Sequence, residues 1–161
     1  MRKKFKLLLV TILLFFLETQ LARFRWNGVA LPLTFTFGLA MAVVGDEWDA
    51  IFMALVTGFL GDLYSTHLFG LNMLLNLYVF LGMHMGKSYL RQEKNLLMAV
   101  VMAGAAFLRY TLHYGINALT GLPQTFRPIP LLSLMVLVLG LPFLLVIRRL
   151  YLVNVRKTRL T

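Results

Sequence analysis

The chain of 161 residues contains no cysteine, which excludes thiol chemistry, thiolate metal sites and disulfide-based redox sensing. Acidic side chains are nearly as scarce, six against sixteen lysines and arginines. Charged residues of both signs reach only 14%, where a water-soluble domain carries about 25%. With 60% hydrophobic residues and a mean hydropathy of +0.80, so little charge excludes a soluble globule. Length excludes more. A spanning helix takes roughly 20 residues, so six would occupy about 120 and leave only short connections. No stretch remains for a nucleotide-binding fold or a stapled extracellular module. The expectation is one integral membrane domain covering residues 1–161, all-α and polytopic.

What the chain has in excess is positive charge, +10 net. A nucleic-acid binder would interleave basic residues with aromatics on a folded polar surface. Here the basic residues flank apolar runs instead, so the membrane accounts for them and no nucleic-acid partner is expected. The runs predict six transmembrane helices, at about 5–22, 28–45, 48–64, 68–87, 96–119 and 131–151. The first could imitate a secretory signal, since Arg2, Lys3, Lys4 and Lys6 precede Leu7–Leu17. Gln20-Leu21-Ala22 is a poor cleavage site, however, and five apolar segments follow, so a retained span is expected. Pro32 falls in the first turns of the predicted second helix, where a missing amide proton costs least. Trp26, Trp48 and Tyr64 mark interfacial ends. Pro123, Pro128 and Pro130 break the chain before the sixth helix.

Counting lysines and arginines on alternate sides sets the orientation. With the N-terminus cytoplasmic, the inner segments carry twelve and the outer segments three (Arg23, Arg25, Arg127), and Arg109 inside the fifth helix completes the sixteen. Both termini inside requires an even number of crossings, in agreement with six.

An ionisable group within a span costs about 2.5–3.5 kcal/mol by insertion scales, so each needs a reason. Glu18 and Asp62 lie within about 6 and 3 Å of an outer helix end, close enough to reach water by snorkelling. Arg109 lies much deeper and leans away from that end. It is expected to face the bundle interior. Depth estimates separate it from both carboxylates by roughly 9–12 Å, so its partner stays open. Arg109, His113 and Asn117 recur at four-residue spacing on one helix, and Asn72 and Asn76 do so on another. With Glu18 these residues form a candidate polar pocket open to the outside; interhelical hydrogen bonding is the simpler reading. His67, His84 and His113 share no converging spacing, so no metal site or cofactor is expected, and no serine or carboxylate pair has a catalytic arrangement. Small residues at Gly58 and Gly61, and at Gly82 and Gly86, read as sites of close helix packing.

The segment Gly58-Phe59-Leu60-Gly61-Asp62-Leu63-Tyr64-Ser65-Thr66-His67-Leu68-Phe69-Gly70-Leu71 resembles the signature of MreD, the rod shape-determining membrane protein family of bacteria. Gly58, Asp62 and Gly70 match that pattern's glycine, aspartate and second glycine. The resemblance extends over about Pro32 to Gly86, and chain length, basic start and basic tail agree with it. Arg109 and His113 match no family pattern. The resemblance implies a six-helix inner-membrane protein similar in fold to the substrate-binding subunits of energy-coupling-factor transporters. It further implies a non-enzymatic partner of the cell-elongation machinery, binding the single-span protein MreC and working with RodA, its penicillin-binding partner and, indirectly, MreB in peptidoglycan synthesis.

Two other readings stay in view. A transporter subunit would suit the same fold and the polar residues of the outer half. Such subunits resemble one another in an Ala-x-x-x-Ala docking pair on helix one, which Leu7–Leu17 lacks, although Gly38 and Ala42 supply a comparable pair on helix two. An intramembrane enzyme acting on lipid-linked intermediates would need Arg109, His113 and Asp62 to converge in a cavity. From Asp62 the short turn predicts a cap: its carboxylate should accept backbone amides near Leu68 to Gly70 at the start of helix four.

Overall fold

The computed structural model describes residues 2–22, 30–63, 68–90, 95–121 and 128–158. Among them every regular element is an α-helix, in the order α1 (Arg2–Leu21), α2 (Leu33–Val44), α3 (Glu47–Asp62), α4 (Leu71–Leu90), α5 (Asn95–Leu119) and α6 (Ile129–Thr158). Two have the length and apolarity to cross a bilayer: α5, and α6 over Ile129–Leu150. The interfacial markers Trp26 and Tyr64, the basic residues Arg23, Arg25, Arg91, Lys94, Arg127 and Arg159, and also Pro123 and His67, lie outside the described residues.

The bundle is organised around α2. Its sequence is apolar all round, with Gly38, Ala40 and Ala42 giving neighbours room to approach, and a helix with no polar face belongs inside. Every residue from Leu33 to Val43 is buried, and α1, α3, α4 and α6 all pack on it. A Cβ at Gly38 would meet Thr57 Cγ2 at 2.8 Å and the Phe80 ring at 2.9 Å. Around it the core gathers Leu39, Met41, Met53, Phe80, Met102, Val136 and Leu144, one or more from each of α2 to α6. α3 pairs with α4, and α5 with α6, as neighbouring helices.

Three helices differ from the sequence expectation, α4 by running from Leu71 to Leu90 where about 68–87 was expected. α2 begins at Leu33, not near Gly28, and Pro32 is its N-cap residue rather than part of its first turns. Proline disfavours the helical conformation in the residue before it, so helix cannot easily extend back through Leu31. At 12 residues, α2 rises only ~18 Å, well short of the ~30 Å hydrocarbon thickness. α6 starts at Ile129 and carries Pro130 in its first turn, where no donor is needed, and it runs beyond Tyr151 to Thr158. The basic tail therefore continues the helix.

Gly82 and Gly86 also depart from expectation. A Cβ at either would meet nothing within 4 Å, so these glycines are not where α4 packs. The close approach is at Gly58, where a Cβ would sit 2.4 Å from Met73 Cα and 2.7 Å from Met73 N. There the α3 and α4 backbones come so near that only glycine fits.

Candidate functional site

The α3–α4 pair places the first polar residues. α4 starts after Gly70, which has φ +95, a left-handed conformation that costs a residue with a side chain 1–2 kcal/mol, roughly. Glycine at that place offers no side-chain oxygen to the free amides of the first turn. Asp62, at the end of α3, supplies them. Its Oδ1 accepts from Asn72 N at 3.0 Å and its Oδ2 from Met73 N at 3.2 Å. The cap predicted from sequence thus exists, shifted from Leu68–Gly70 to Asn72 and Met73. Because Asp62 is 1% exposed, it does not snorkel to water.

Asn72 extends this contact inward. Its Nδ2 also donates to Asp62 Oδ1 at 3.0 Å, while its Oδ1 accepts from Arg109 Nη2 at 2.7 Å. One turn on, Asn76 Oδ1 accepts from Arg109 Nε at 2.8 Å, and Asn76 Nδ2 donates to Thr57 Oγ1 at 3.1 Å. The Thr57 hydroxyl in turn donates to Met53 O at 2.7 Å. The guanidinium of Arg109, a residue 7% exposed, packs against the neighbouring rings of Phe35 and Tyr110, with Cζ 4.8 and 4.9 Å from their centroids. The gap that separated Arg109 from Asp62 in the depth estimate is therefore closed by an asparagine. One amide accepts from the cation and donates to the anion, and the two ends of the charge pair are joined without direct approach.

Glu18 is half-buried and has a protein partner of its own. Its Oε2 accepts the amide of Thr34 at 2.8 Å, in the first turn of α2, and the carboxylate lies within Coulombic reach of Arg109. An anion at a helix N-terminus complements the partial positive charge there. The opposite end of α2 is held by side chains of α4: Lys87 Nζ donates to Gly45 O at 2.7 Å, and His84 Nδ1 lies 3.1 Å from Ala42 O. Beside it Asp49, buried in the first turn of α3, accepts Lys3 Nζ from α1 at 2.6 Å and the Asp46 amide at 3.2 Å.

Of the pocket proposed from sequence, the structure brings Asn72, Asn76 and Arg109 together with Asp62. Glu18 sits at the head of α2. His113 and Asn117 face each other at 3.5 Å farther along α5. Sequence reasoning missed Thr57, Phe35, Lys3, Asp49 and Lys87. A signal existed for Thr57, which immediately precedes Gly58 and so lies at the tight crossing; for Phe35, on a uniformly apolar helix, none did. Among the described residues no three acidic or histidine side chains converge as metal ligands.

A helical bundle this apolar, whose buried charged side chains, among the described residues, cap helices or pair inside, is built as an integral membrane protein. The family comparison gives the particular kind: the family model described as rod shape-determining protein MreD matches residues 1–154 of the 161. The chain belongs to the MreD family, a membrane family of rod shape determination associated with the MreC/MreB shape machinery. No curated protein and no solved structure matches it.

Proposed function

We propose that this protein is a non-enzymatic scaffold of the cell-elongation machinery, binding MreC and supporting peptidoglycan synthesis together with RodA, its penicillin-binding partner and, indirectly, MreB. The observation that carries the reading is the family match along residues 1–154. The geometry is consistent with it. Asp62, Asn72, Asn76 and Arg109 hydrogen-bond to one another and to backbone, an arrangement suited to fixing helix positions. In the same reading the chain crosses the bacterial inner membrane six times with both termini cytoplasmic. The twelve-to-three distribution of lysine and arginine favours this orientation. The short α2 fits as a crossing completed by non-helical backbone such as residues 30–32, which is tolerated at membrane depth where it is buried in protein or lines a water-filled cavity.

The transporter alternative lacks support. Its small-residue pair, Gly38 and Ala42, is buried against α3 and α4 side chains and in the core, so it offers no docking surface for an energising module.

Co-purification in mild detergent tests the proposal: MreC should be retained, and depletion in a rod-shaped host should produce round cells. Purified protein that retains no MreC would overturn it. Reporter fusions at both ends test the topology, and ends on opposite faces of the membrane would refute six crossings.

A further inference from the structure

Arg148 and Arg149, near the end of the apolar stretch of α6, are placed differently from Arg109. Between α5 and α6 lies a cavity of about 600 Å³ lined by Asn95, Leu145, Val146, Arg148 and Arg149. Its composition is graded along α6. Leu145 and Val146, 46% and 56% exposed, form an apolar wall, and Arg148 and Arg149 follow within one turn, so the polar rim is about 5 Å higher along the axis. Arg148 is oriented by Asn95 Oδ1 and Met98 Sδ, both uncharged. Among the described residues neither arginine pairs with a carboxylate. The chain has few to offer: five of its six acids are Glu18, Asp46, Glu47, Asp49 and Asp62, all on α1, α3 or the turn before α3, and the sixth is Glu93. α6 goes on to carry Arg156 and Lys157.

We propose that this cavity binds the phosphate headgroup of an anionic phospholipid, with an acyl chain against Leu145 and Val146. The ligand must be amphipathic because the cavity is. It must be anionic because two adjacent cations stand at its rim and, among the described residues, no carboxylate pairs with them, and a guanidinium is best satisfied by a planar or tetrahedral oxyanion that accepts two of its N–H groups. Basic cavities between membrane helices at the edge of the hydrocarbon layer recognise lipid headgroups on this principle. The assignment does not depend on MreC binding.

Native mass spectrometry of the full chain in detergent, titrated separately with phosphatidylglycerol, phosphatidylcholine and inorganic phosphate, tests it. Phosphatidylglycerol adducts should form at lower concentration than phosphatidylcholine adducts. Arg149→Gln, at an exposed position that does not threaten folding, should weaken that preference about fivefold, as expected for one interfacial cation. Arg148→Gln should do likewise. Lys6→Gln removes the same charge from α1 and should leave the preference intact. Equal binding of the two lipids, or equal losses in Arg149→Gln and Lys6→Gln, would overturn the site. Binding of inorganic phosphate that displaces phosphatidylglycerol would overturn the lipid assignment and leave a site for free phosphate.

Discussion

Arg109 and the Arg148–Arg149 pair meet the same physical problem, a guanidinium near hydrocarbon, and the fold treats them in opposite ways. Arg109 is enclosed. Two asparagine oxygens accept from it, two aromatic rings cover it, and Asp62 stands one amide away. The α6 pair stands at an edge, one member oriented by uncharged groups and the other exposed. The difference teaches that the cost of a buried charge sorts residues by role. A cation that the protein itself satisfies holds helices in place, whereas one left for an outside partner stays at the surface.

The largest effect should come from emptying the enclosed site. Arg109→Leu leaves Asn72 and Asn76 without their donor and Asp62 without its countercharge, and should cost about 3–5 kcal/mol, read as a large drop in the thermal midpoint in detergent. An unchanged midpoint would show that the network is ornamental to the fold. Gly58→Ala comes next. The added carbon meets the Met73 backbone at 2.4 Å, which cannot rotate away, so α3 and α4 must part at a cost of about 1–3 kcal/mol. Asp62→Ala removes the cap of α4 and should cost about 1–2 kcal/mol, lowering folding yield together with MreC retention. Normal yield with lost retention would place Asp62 at the partner interface instead. At the other pole, Arg149→Gln should change stability by less than about 0.5 kcal/mol, leaving the thermal midpoint nearly where it was. A destabilisation comparable to Arg109→Leu would erase the contrast between the two regions.

Much of the helical layout was legible because hydrophobic runs of spanning length are the strongest signal a sequence carries. α1, α3 and α5 fall close to their expected limits. The misplacement of α2 has a local cause, Pro32, whose effect on the residue ahead of it outweighed the apolar run. The α3–α4 corner was legible too: Gly58, Asp62 and Gly70 declare a turn, and the role of Asp62 as a cap followed from the shortness of that turn. The error in target, Asn72 and Met73 in place of residues 68–70, came from starting the helix three residues early.

Less of the polar network could be read. Spacing put Arg109 inward and set Asn72 and Asn76 on one stripe, but depth arithmetic on untilted rods kept Arg109 and Asp62 apart. An amide that donates to one and accepts from the other is a three-body arrangement that pairwise estimates do not contain. Phe35 and Thr57 joined the site from α2 and α3, with no periodicity to mark them. The two glycines on α4 show the converse. Gly82 and Gly86 have the spacing of a packing motif but face open space, because spacing says which residues share a face and not what lies opposite.

By itself, the sequence determined that this chain is helical and membrane-embedded, where its helices roughly lie, and that Arg109 had to be satisfied internally, since hydrophobic runs and the cost of an isolated charge are properties of single segments. Only the tertiary structure decided that α2 is the short central helix with charged residues of α1 and α4 at its two ends, and that Asn72 joins Arg109 to Asp62. Those are facts about which faces meet, and they arise from packing between segments far apart in the chain.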